Sequence, residues 1–240
     1  MNEQLKNNSI FLEKIDPRGD IETMSEIAAT YAEVFAGPPW NEYTRCKESG
    51  KFFGKNTQPN TLCPDGDGNL VLAYPVQDTV NYIDKEMSQP NPVMFIGYDK
   101  DKVVAFTWGY SYSVDKFVKE KYRSTEMQNK ITQLLRKYGI DDNFFYFSES
   151  GIVDEYRGRG ISNDFFKKRL EFAKKLNMPI VQRTNCESPM IAVCNKFGFA
   201  QIMGPNVEVD RINRKIRRLH GFVNDIRDIE IGDRVLFLLK

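Results

Sequence analysis

The most constraining feature of this 240-residue chain is a strand, a glycine-rich turn and a helix that follow one another between Phe144 and Leu176. The apolar run FFYFSESGIV predicts a strand over residues 144–153, and apolar residues at helical spacing predict an amphipathic helix over 163–176. Between them lies the turn Arg-Gly-Arg-Gly. Because free backbone N–H groups and the positive end of the helix dipole converge at such a turn, we expect it to bind an anion.

The other predicted elements surround this unit with both strands and helices. The runs VMFIGY at 93–98 and VVAFTWGYS at 103–111 predict a β-hairpin. Further strands are predicted at 9–15, 179–183 and 234–239, and further helices at 21–35, 77–87, 114–138 and 189–197. This order predicts a mixed α/β (α+β) fold with a largely antiparallel central sheet flanked by helices, rather than a series of βαβ units.

Two segments interrupt this order of elements. Residues 41–69 are polar and contain the tract Pro-Asp-Gly-Asp-Gly, which predicts an irregular insertion that is functional, mobile or partly helical. A second excursion, at 205–233, contains the basic cluster RINRKIRR at 211–218. We interpret residues 1–240 as a single domain that includes both segments.

The charge and the rare residue types exclude several classes of function. The formal net charge of +1 argues against attraction of the whole chain to nucleic acid or to an anionic membrane. The single histidine, His220, excludes a multi-histidine metal site, and the cysteines form no C-x-x-C pair. We therefore expect no metal cofactor.

Features of a secreted or membrane protein are missing from the sequence. No stretch approaches the roughly 18 consecutive apolar residues of a membrane span, and the N-terminus lacks the apolar region of a signal peptide. Four cysteines in a chain of this length do not indicate a disulfide framework. We expect a cytoplasmic protein with reduced thiols and no membrane partner.

The glycine-rich turn does not match the common nucleotide-binding fingerprints. A dinucleotide site requires G-x-G-x-x-G, but the position after Gly158 and Gly160 that should hold the third glycine is Asn163. The lysine pattern of a P-loop is absent as well. The turn therefore predicts an anion site without naming the anion.

The turn and its flanks resemble the acyl-CoA signature of the GNAT N-acetyltransferase superfamily, R/Q-x-x-G-x-G/A. The resemblance is carried by Arg157-Gly158-Arg159-Gly160-Ile161-Ser162, which follows a strand ending in Gly151-Ile152-Val153. The tetrapeptide KFGF at 196–199 resembles the "EKLGF" end of the family's next helix. The match is good over 92–112 and 144–203, and looser over 9–35 and 234–239. It implies a GNAT-like fold whose central strands splay apart at the acyl-CoA site.

Acetyl-CoA is the co-substrate that this resemblance implies. Glycine at Gly158 and Gly160 lets the main chain approach a pyrophosphate closely and expose its N–H donors. The helix that begins at about Ile161 adds its positive end, and Arg157 and Arg159 can offset phosphate charge. The alternative is a tight structural turn with surface arginines.

The resemblance also assigns residues next to the turn. Ser162 stands where the family usually has Gly or Ala, and its hydroxyl either donates to a phosphate or simply fits. In the family, the backbone of the strand before the turn pairs with the pantetheine arm, which implies contacts from Gly151, Ile152 and Val153. Asn185 matches a position that often touches the cofactor, and the alternative is an ordinary loop cap.

Glu149 is the candidate general base. Acetyl transfer requires a neutral amine, whereas a lysine-like amine has a pKa near ~10.4. Glu149 lies three residues before Ile152, where some members of the family carry an acidic base. Alternation along a strand predicts that Phe147, Glu149 and Gly151 share one face, close to the thioester. The alternative is a solvent-facing or ion-paired glutamate.

Cys194 departs from the family pattern. It aligns with the tyrosine that is often proposed to protonate the departing thiolate. Three interpretations remain open: Cys194 is a substitute acid, it is a buried core cysteine, or the acid comes from elsewhere.

These features predict an acetyl-CoA-dependent N-acetyltransferase that acts on a primary amine by direct attack in a ternary complex. The acceptor is a small-molecule or peptide amine that the sequence does not identify. The family's layout places residues 35–42, Tyr110 and Tyr112 near the acceptor, where Trp40 lines the pocket or fixes the loop.

Two other functions compete with this prediction. A non-catalytic acyl-CoA-binding or regulatory module is suggested by Cys194 in place of tyrosine. A nucleic-acid-associated protein would use the basic cluster at 211–218, although such a run is more typical of a solvated face, and we expect no nucleic-acid partner. The sequence does not indicate the oligomeric state.

Overall fold

Seven strands form one mixed sheet in the computed structural model, which describes residues 10–66, 68–122, 124–204 and 234–240. The main sheet has the order β1-β5-β6-β7-β8-β10-β9, and β2, β3 and β4 form a separate small sheet. The strands are Phe11–Ile15 (β1), Thr44–Cys46 (β2), Phe52–Phe53 (β3), Leu70–Leu72 (β4), Val93–Asp99 (β5), Lys102–Ser113 (β6), Asn143–Ile152 (β7), Ile180–Asn185 (β8), Ala200–Met203 (β9) and Arg234–Leu239 (β10). The helices are Ile21–Phe35 (α1), Val76–Met87 (α2), Val114–Lys121 (α3), Thr125–Lys137 (α4), Ile161–Lys175 (α5) and Met190–Lys196 (α6).

The pairing of the main sheet confirms the predicted fold class. Only β7 and β8 are parallel, and each other neighbouring pair of described strands is antiparallel. The parallel pair follows from the strand–turn–helix unit, since a parallel neighbour requires a crossover and α5 provides it. The predicted hairpin is β5 and β6, joined at Asp99↔Lys102.

Alternate side chains of the sheet pack against two different layers of helices. On one face, Phe144 and Tyr146 are buried with residues of α1, α2, α3 and α4. On the other, Phe145 and Phe147 are buried with residues of α5 and α6. None of the described helices has the length and apolar character that a membrane span requires.

The helix predicted over 114–138 is wrong, because the structure has two helices there. α3 ends at Lys121, and the next residue, Tyr122, has an extended backbone (φ −138°, ψ 129°) and a fully buried ring. Ser124 then begins α4 by accepting a hydrogen bond from the backbone N–H of Met127 at 3.1 Å. Burial of the Tyr122 ring together with this N-cap explains the break.

The insertion at 41–69 is more regular than predicted, and its described residues, 41–66 and 68–69, contain no helix. It forms most of the small sheet, in the order β3-β2-β4, with the register Thr44↔Phe53 and Thr44↔Leu72. A small apolar cluster supports this sheet and consists of Cys46, Cys63 and Leu70.

The last part of the chain contains a strand, β9, that the sequence did not predict. The excursion at 205–233, with the basic cluster at 211–218 and His220, lies outside the described residues, and the single-domain interpretation stays a prediction.

A buried carboxylate links α2 to the centre of the sheet. Glu86 is 4% exposed and accepts hydrogen bonds from Trp108 Nε1 at 2.6 Å, Tyr110 Oη at 2.9 Å and Ser148 Oγ at 2.7 Å. Lys121 Nζ lies 3.8 Å from its Oε1. Three donors from two strands therefore depend on one acceptor group.

The Glu86→Gln variant is expected to lower the free energy of unfolding by about 1–3 kcal/mol, because the amide nitrogen cannot accept the bonds that a carboxylate oxygen accepts. Urea denaturation of the variant and of the matched Glu171→Gln variant, at an exposed position of α5, measures the effect. Equal stability of the two variants would contradict a structural role for the Glu86 carboxylate.

Candidate active site

The parallel strands β7 and β8 separate halfway along their length. They pair from Phe145↔Ile180 to Phe147↔Gln182 and no further. β8 stays paired with β10 as far as Asn185↔Arg234, so the gap opens between residues 148–152 of β7 and 183–185 of β8. This is the splay that the sequence resemblance implied. A cavity of ≈ 340 Å³ lies there.

The cavity passes through the sheet, since it is lined by residues of both helical layers. On the side of α1 and α2, aromatic rings dominate the wall: Tyr31, Phe35, Trp40, Phe52, Tyr74 and Tyr82. On the side of α5 and α6 the wall is formed by Gly158, Ser162, Ser188, Met190 and Val193. Two ligands can therefore enter from opposite faces and meet between the splayed strands.

A β-bulge aims Glu149 at this meeting point. The register shifts between Trp108↔Glu149 and Gly109↔Phe147, which leaves Ser148 as the extra residue. Phe147 packs against Phe166 of α5, with ring centroids 5.2 Å apart. Glu149 faces the opposite layer and accepts a hydrogen bond from Tyr82 Oη of α2 at 3.0 Å. The prediction that residues 147, 149 and 151 share one face is therefore wrong for 147, because the bulge reverses the alternation.

The environment of Glu149 makes its carboxyl group less acidic than usual. Burial, followed by the nearby Glu86 carboxylate, raises the pKa of Glu149 from 4.5 to about 7. Lys121 and the hydrogen bond from Tyr82 act in the opposite direction and limit the rise in this pKa. A carboxylate that titrates near neutrality, in a cavity wall, has the acidity expected of a general base.

The glycine-rich turn has the backbone that an anion site requires. Gly158 and Gly160 have φ of +77° and +86°, and a Cβ atom at either position would meet nothing within 4 Å. Gly160 is the N-cap of α5 and supplies no capping side chain. Among the described residues, the backbone N–H groups of 158–162 have no hydrogen-bond acceptor. Open space in front of free donors at a helix N-terminus fits a phosphate group.

The two arginines of the turn contact the backbone. Arg157 donates to the carbonyl of Ile152 at 3.1 Å and to that of Pro38 at 3.0 Å, and pairs with Asp154 at 2.8 Å. Arg159 donates to the carbonyl of Glu155 at 2.9 Å. Arg157 therefore fixes the turn to the loop after α1, and also lines the cavity.

The structure brings most of the other predicted cofactor residues to the cavity. Gly151 and Ile152 line it, whereas Val153 is buried and donates its N–H to the carbonyl of Val104 at 3.0 Å. The absence of a side chain at Gly151 has a packing reason, because a Cβ there would lie 2.3 Å from the Phe106 ring. Asn185 caps the next loop by accepting from the N–H of Glu187 at 2.8 Å, which matches the alternative of a loop cap.

Cys194 and Ile161 lie in the core. Ile161 is 5% exposed, so only its backbone N–H faces the turn. Cys194 is fully buried on α6 among the apolar residues beneath the sheet, and it does not line the cavity. Burial raises the pKa of its thiol to about 12. Of the three interpretations of Cys194, this placement favours the buried core cysteine.

The acceptor side differs in part from the predicted layout. Trp40 lines the cavity, but Tyr110 and Tyr112 are buried within the core and do not. The polar residues of the wall that were not predicted include Tyr82, Lys121, Arg183 and Arg234. Arg183 and Arg234 become neighbours only through the pairing of β8 with β10, which no local pattern reveals. Among the described residues, no group of three or more His, Cys, Asp and Glu side chains is arranged to hold a metal ion.

No protein-family model and no curated protein sequence matches the chain. Solved structures do match, over nearly the whole chain. PH1933 from Pyrococcus horikoshii OT3 is 15% identical, with a TM-score of 0.51, over 95% of this chain and 96% of that one. The polyamine N-acetyltransferase of Drosophila melanogaster, which forms N-acetylagmatine, is 9% identical, with a TM-score of 0.54, over 96% and 99% of the chains. The Salmonella typhimurium protein yncA, solved with its cofactor acetyl-CoA, is 7% identical, with a TM-score of 0.50, over 96% and 93%.

These structures have the GNAT fold, and the likeness extends over both layers of helices and the sheet between them. The chain therefore has the fold of the GNAT superfamily, as the resemblance at residues 157–162 implied. At sequence identities of 15% or less, the likeness to these structures shows the fold alone. The chemistry has to be argued from the cavity.

Proposed function

We propose that this protein is an acetyl-CoA-dependent N-acetyltransferase that acetylates a primary amine by direct attack in a ternary complex. The observation that carries the proposal is the continuous cavity that extends from the open turn at 157–162, through the splay between β7 and β8, to Glu149. The neighbouring acetyltransferase folds support it, one of them solved with acetyl-CoA.

The chain's own groups match the parts of acetyl-CoA, which supplies a thioester carbonyl carbon as the electrophile. The free N–H groups of the turn and the N-terminus of α5 hold the pyrophosphate. The edge of β7 that β8 leaves unpaired, at 148–152, hydrogen-bonds the pantetheine amides. An N–H group of the same edge donates to the thioester oxygen as negative charge develops there.

Glu149 prepares the amine for attack. Its carboxylate accepts a proton from the ammonium group of the acceptor, and Tyr82 holds it in place through the 3.0 Å hydrogen bond. The neutral nitrogen then forms a bond to the carbonyl carbon, the C–S bond breaks, and its electron pair stays on sulfur. Because Cys194 lies outside the cavity, the proton that sulfur needs comes from the attacking nitrogen, which loses it as the amide forms.

The competing proposal is an acyl-CoA-binding module without turnover, and the buried position of Cys194 favours it. Calorimetric titration with acetyl-CoA, followed by mass spectrometry of a panel of primary amines incubated with the full chain, separates the two. Micromolar binding and acetylation of an amine support the transferase. Binding without acetylation of any amine supports the module, and no binding contradicts both.

A further inference from the structure

The wall of the cavity on the side of α1 and α2 carries three cationic side chains beside the carboxyl groups of Glu42 and Glu149. Lys121, Arg183 and Arg234 all line it. Lys121 lies 3.8 Å from the Glu86 carboxylate, so part of its charge is compensated within the protein. The two arginines lie on neighbouring strands and on the same face of the sheet, since Arg183 is opposite Leu236, two residues along β10 from Arg234.

Arg183 has buried donors for which the described part of the chain supplies no acceptor. Its Nε and Nη2 atoms are both buried, and neither has a hydrogen-bond partner among the described residues. The contact shown for the guanidinium is with the ring of Tyr122, whose centroid lies 5.5 Å from Cζ. A ring face attracts the charge but leaves the N–H groups unsatisfied, and an unsatisfied buried donor is costly. A guanidinium in this condition, in the wall of a cavity, is suited to an oxyanion ligand.

Arg234 adds its charge at the same place. Its Cζ lies 5.3 Å from the centroid of the Trp40 ring, which also lines the cavity. Arg183 and Arg234 both lower the pKa of Tyr146, which burial raises, so the fields of the two guanidinium groups overlap at one phenol. The carboxylate of Glu149 raises the pKa of the same phenol. The general base and the two arginines therefore surround a common region of the cavity.

This charge pattern specifies the acceptor. A primary amine in reach of Glu149 places the rest of its molecule among aromatic rings and toward two guanidinium groups. A distal cation would be repelled there, whereas a distal anion would satisfy the free donors of Arg183. The site thus differs in charge preference from one that suits agmatine, the acceptor implied by the product of the Drosophila melanogaster enzyme.

We propose that the acceptor is an amine that carries an oxyanion, either a carboxylate or a phosphate, which binds to Arg183 and Arg234 while the amine faces Glu149. This inference rests on the proposed acetyl transfer and specifies the substrate class of the same site. Arg183 is its specificity-determining residue, because two of its donors are buried and unpartnered among the described residues.

The test compares each acid with the amine that lacks the acid group: arginine with agmatine, phenylalanine with phenethylamine, and O-phosphoethanolamine with ethanolamine. Acetylation by the full chain is quantified by mass spectrometry as kcat/KM. We expect at least one acid-bearing amine to exceed its partner roughly 10–100-fold, the range of a charge-assisted hydrogen bond. The first two pairs test a carboxylate and the third tests a phosphate.

The Arg183→Gln variant is expected to remove this preference, whereas Arg183→Lys keeps part of it because the charge remains. The matched control is Arg136→Gln at an exposed position of α4, which keeps the full preference. Thermal unfolding of each variant checks that it is folded. The inference would be overturned if each amine without an acid group were acetylated as efficiently as its acid-bearing partner. It would also be overturned if the preference for acid-bearing amines survived in folded Arg183→Gln.

Failure of the inference and failure of the proposed function give different results. If acetyl-CoA binds and only amines without an acid group are acetylated, the acceptor class is wrong and the transferase stands. If acetyl-CoA binds and no amine of the panel is acetylated, the inference that the acceptor is an amine with a carboxylate or phosphate is overturned. If acetyl-CoA does not bind, the transferase is wrong; calorimetry of the same compounds with the protein alone then decides the inference, since binding lost in Arg183→Gln supports it and no binding overturns it.

Discussion

A Gly160→Asp variant is expected to bind acetyl-CoA about 100-fold more weakly than the wild type, or not at all, because a carboxylate replaces open space in front of the N–H groups of the turn. The carboxylate repels the pyrophosphate and competes with it for the donors at the N-terminus of α5. Titration calorimetry with acetyl-CoA measures the change. The same titration with CoA shows whether the acetyl group contributes.

Two further variants separate charge from backbone strain. Gly160→Ala keeps the charge unchanged and adds only the strain of a Cβ atom at φ +86°. Gly19 has the same φ of +86° and the same open surroundings, but it lies in the exposed turn before α1. Gly19→Asp is therefore expected to cost similar stability while the affinity for acetyl-CoA is unchanged. Retained affinity in Gly160→Asp would place the binding site elsewhere on the molecule.

The fold was predictable because its signals are local. The hairpin of β5 and β6 and the helix α5 follow from periods of two and 3.6 residues. Asp20, which accepts from the N–H of Thr23 at 3.1 Å, is a typical N-cap for α1. The turn at 157–162 carries a local sequence pattern, and its backbone conformation depends on two glycines with positive φ.

The parts that the sequence did not reveal depend on distant contacts. Charged residues at helical spacing continue across Tyr122, so the break between α3 and α4 depends on the burial of the Tyr122 ring as well as on the local N-cap at Ser124. The bulge at Ser148 is stabilised from α2, where Glu86 accepts from the Ser148 hydroxyl at 2.7 Å. Glu149 was therefore predicted as the general base but assigned a face shared with Phe147. Its pKa is raised first by burial and then by Glu86, 63 positions away in the chain, and neither is visible in the local sequence.

The same dependence on distant groups makes the chemistry of Glu149 testable through its pH profile. A general base must be deprotonated, so kcat/KM of the wild type is expected to rise with pH through an apparent pKa of about 7 and to level off above it. This rising limb of the pH profile reports a group of the enzyme, so its midpoint stays at the same pH when the acceptor is changed. If the rise were due to deprotonation of the amine, its midpoint would follow the pKa of each acceptor.

The Tyr82→Phe variant tests the sign of this assignment. The hydrogen bond from Tyr82 stabilises the charged form of Glu149 and lowers its pKa. Its removal is therefore expected to raise the pKa of Glu149 and to shift the limb toward higher pH, so activity at pH 7 falls more than activity at pH 9. A limb that stays in place, or moves toward lower pH, would contradict Glu149 as the titrating group.

The Glu149→Gln variant is expected to lower kcat by roughly 10²–10⁴-fold at pH 8, the usual contribution of a general base, and to lose the limb near pH 7. Its affinity for acetyl-CoA is expected to stay near that of the wild type, because the turn at 157–162 is unchanged and the amide is close to the carboxylate in size. Glu33→Gln, at an exposed position of α1, is the matched control and is expected to keep full activity. If Glu149→Gln instead retains kcat and the limb, the carboxylate is structural, and the amine reaches its neutral form through desolvation by the aromatic wall of the cavity.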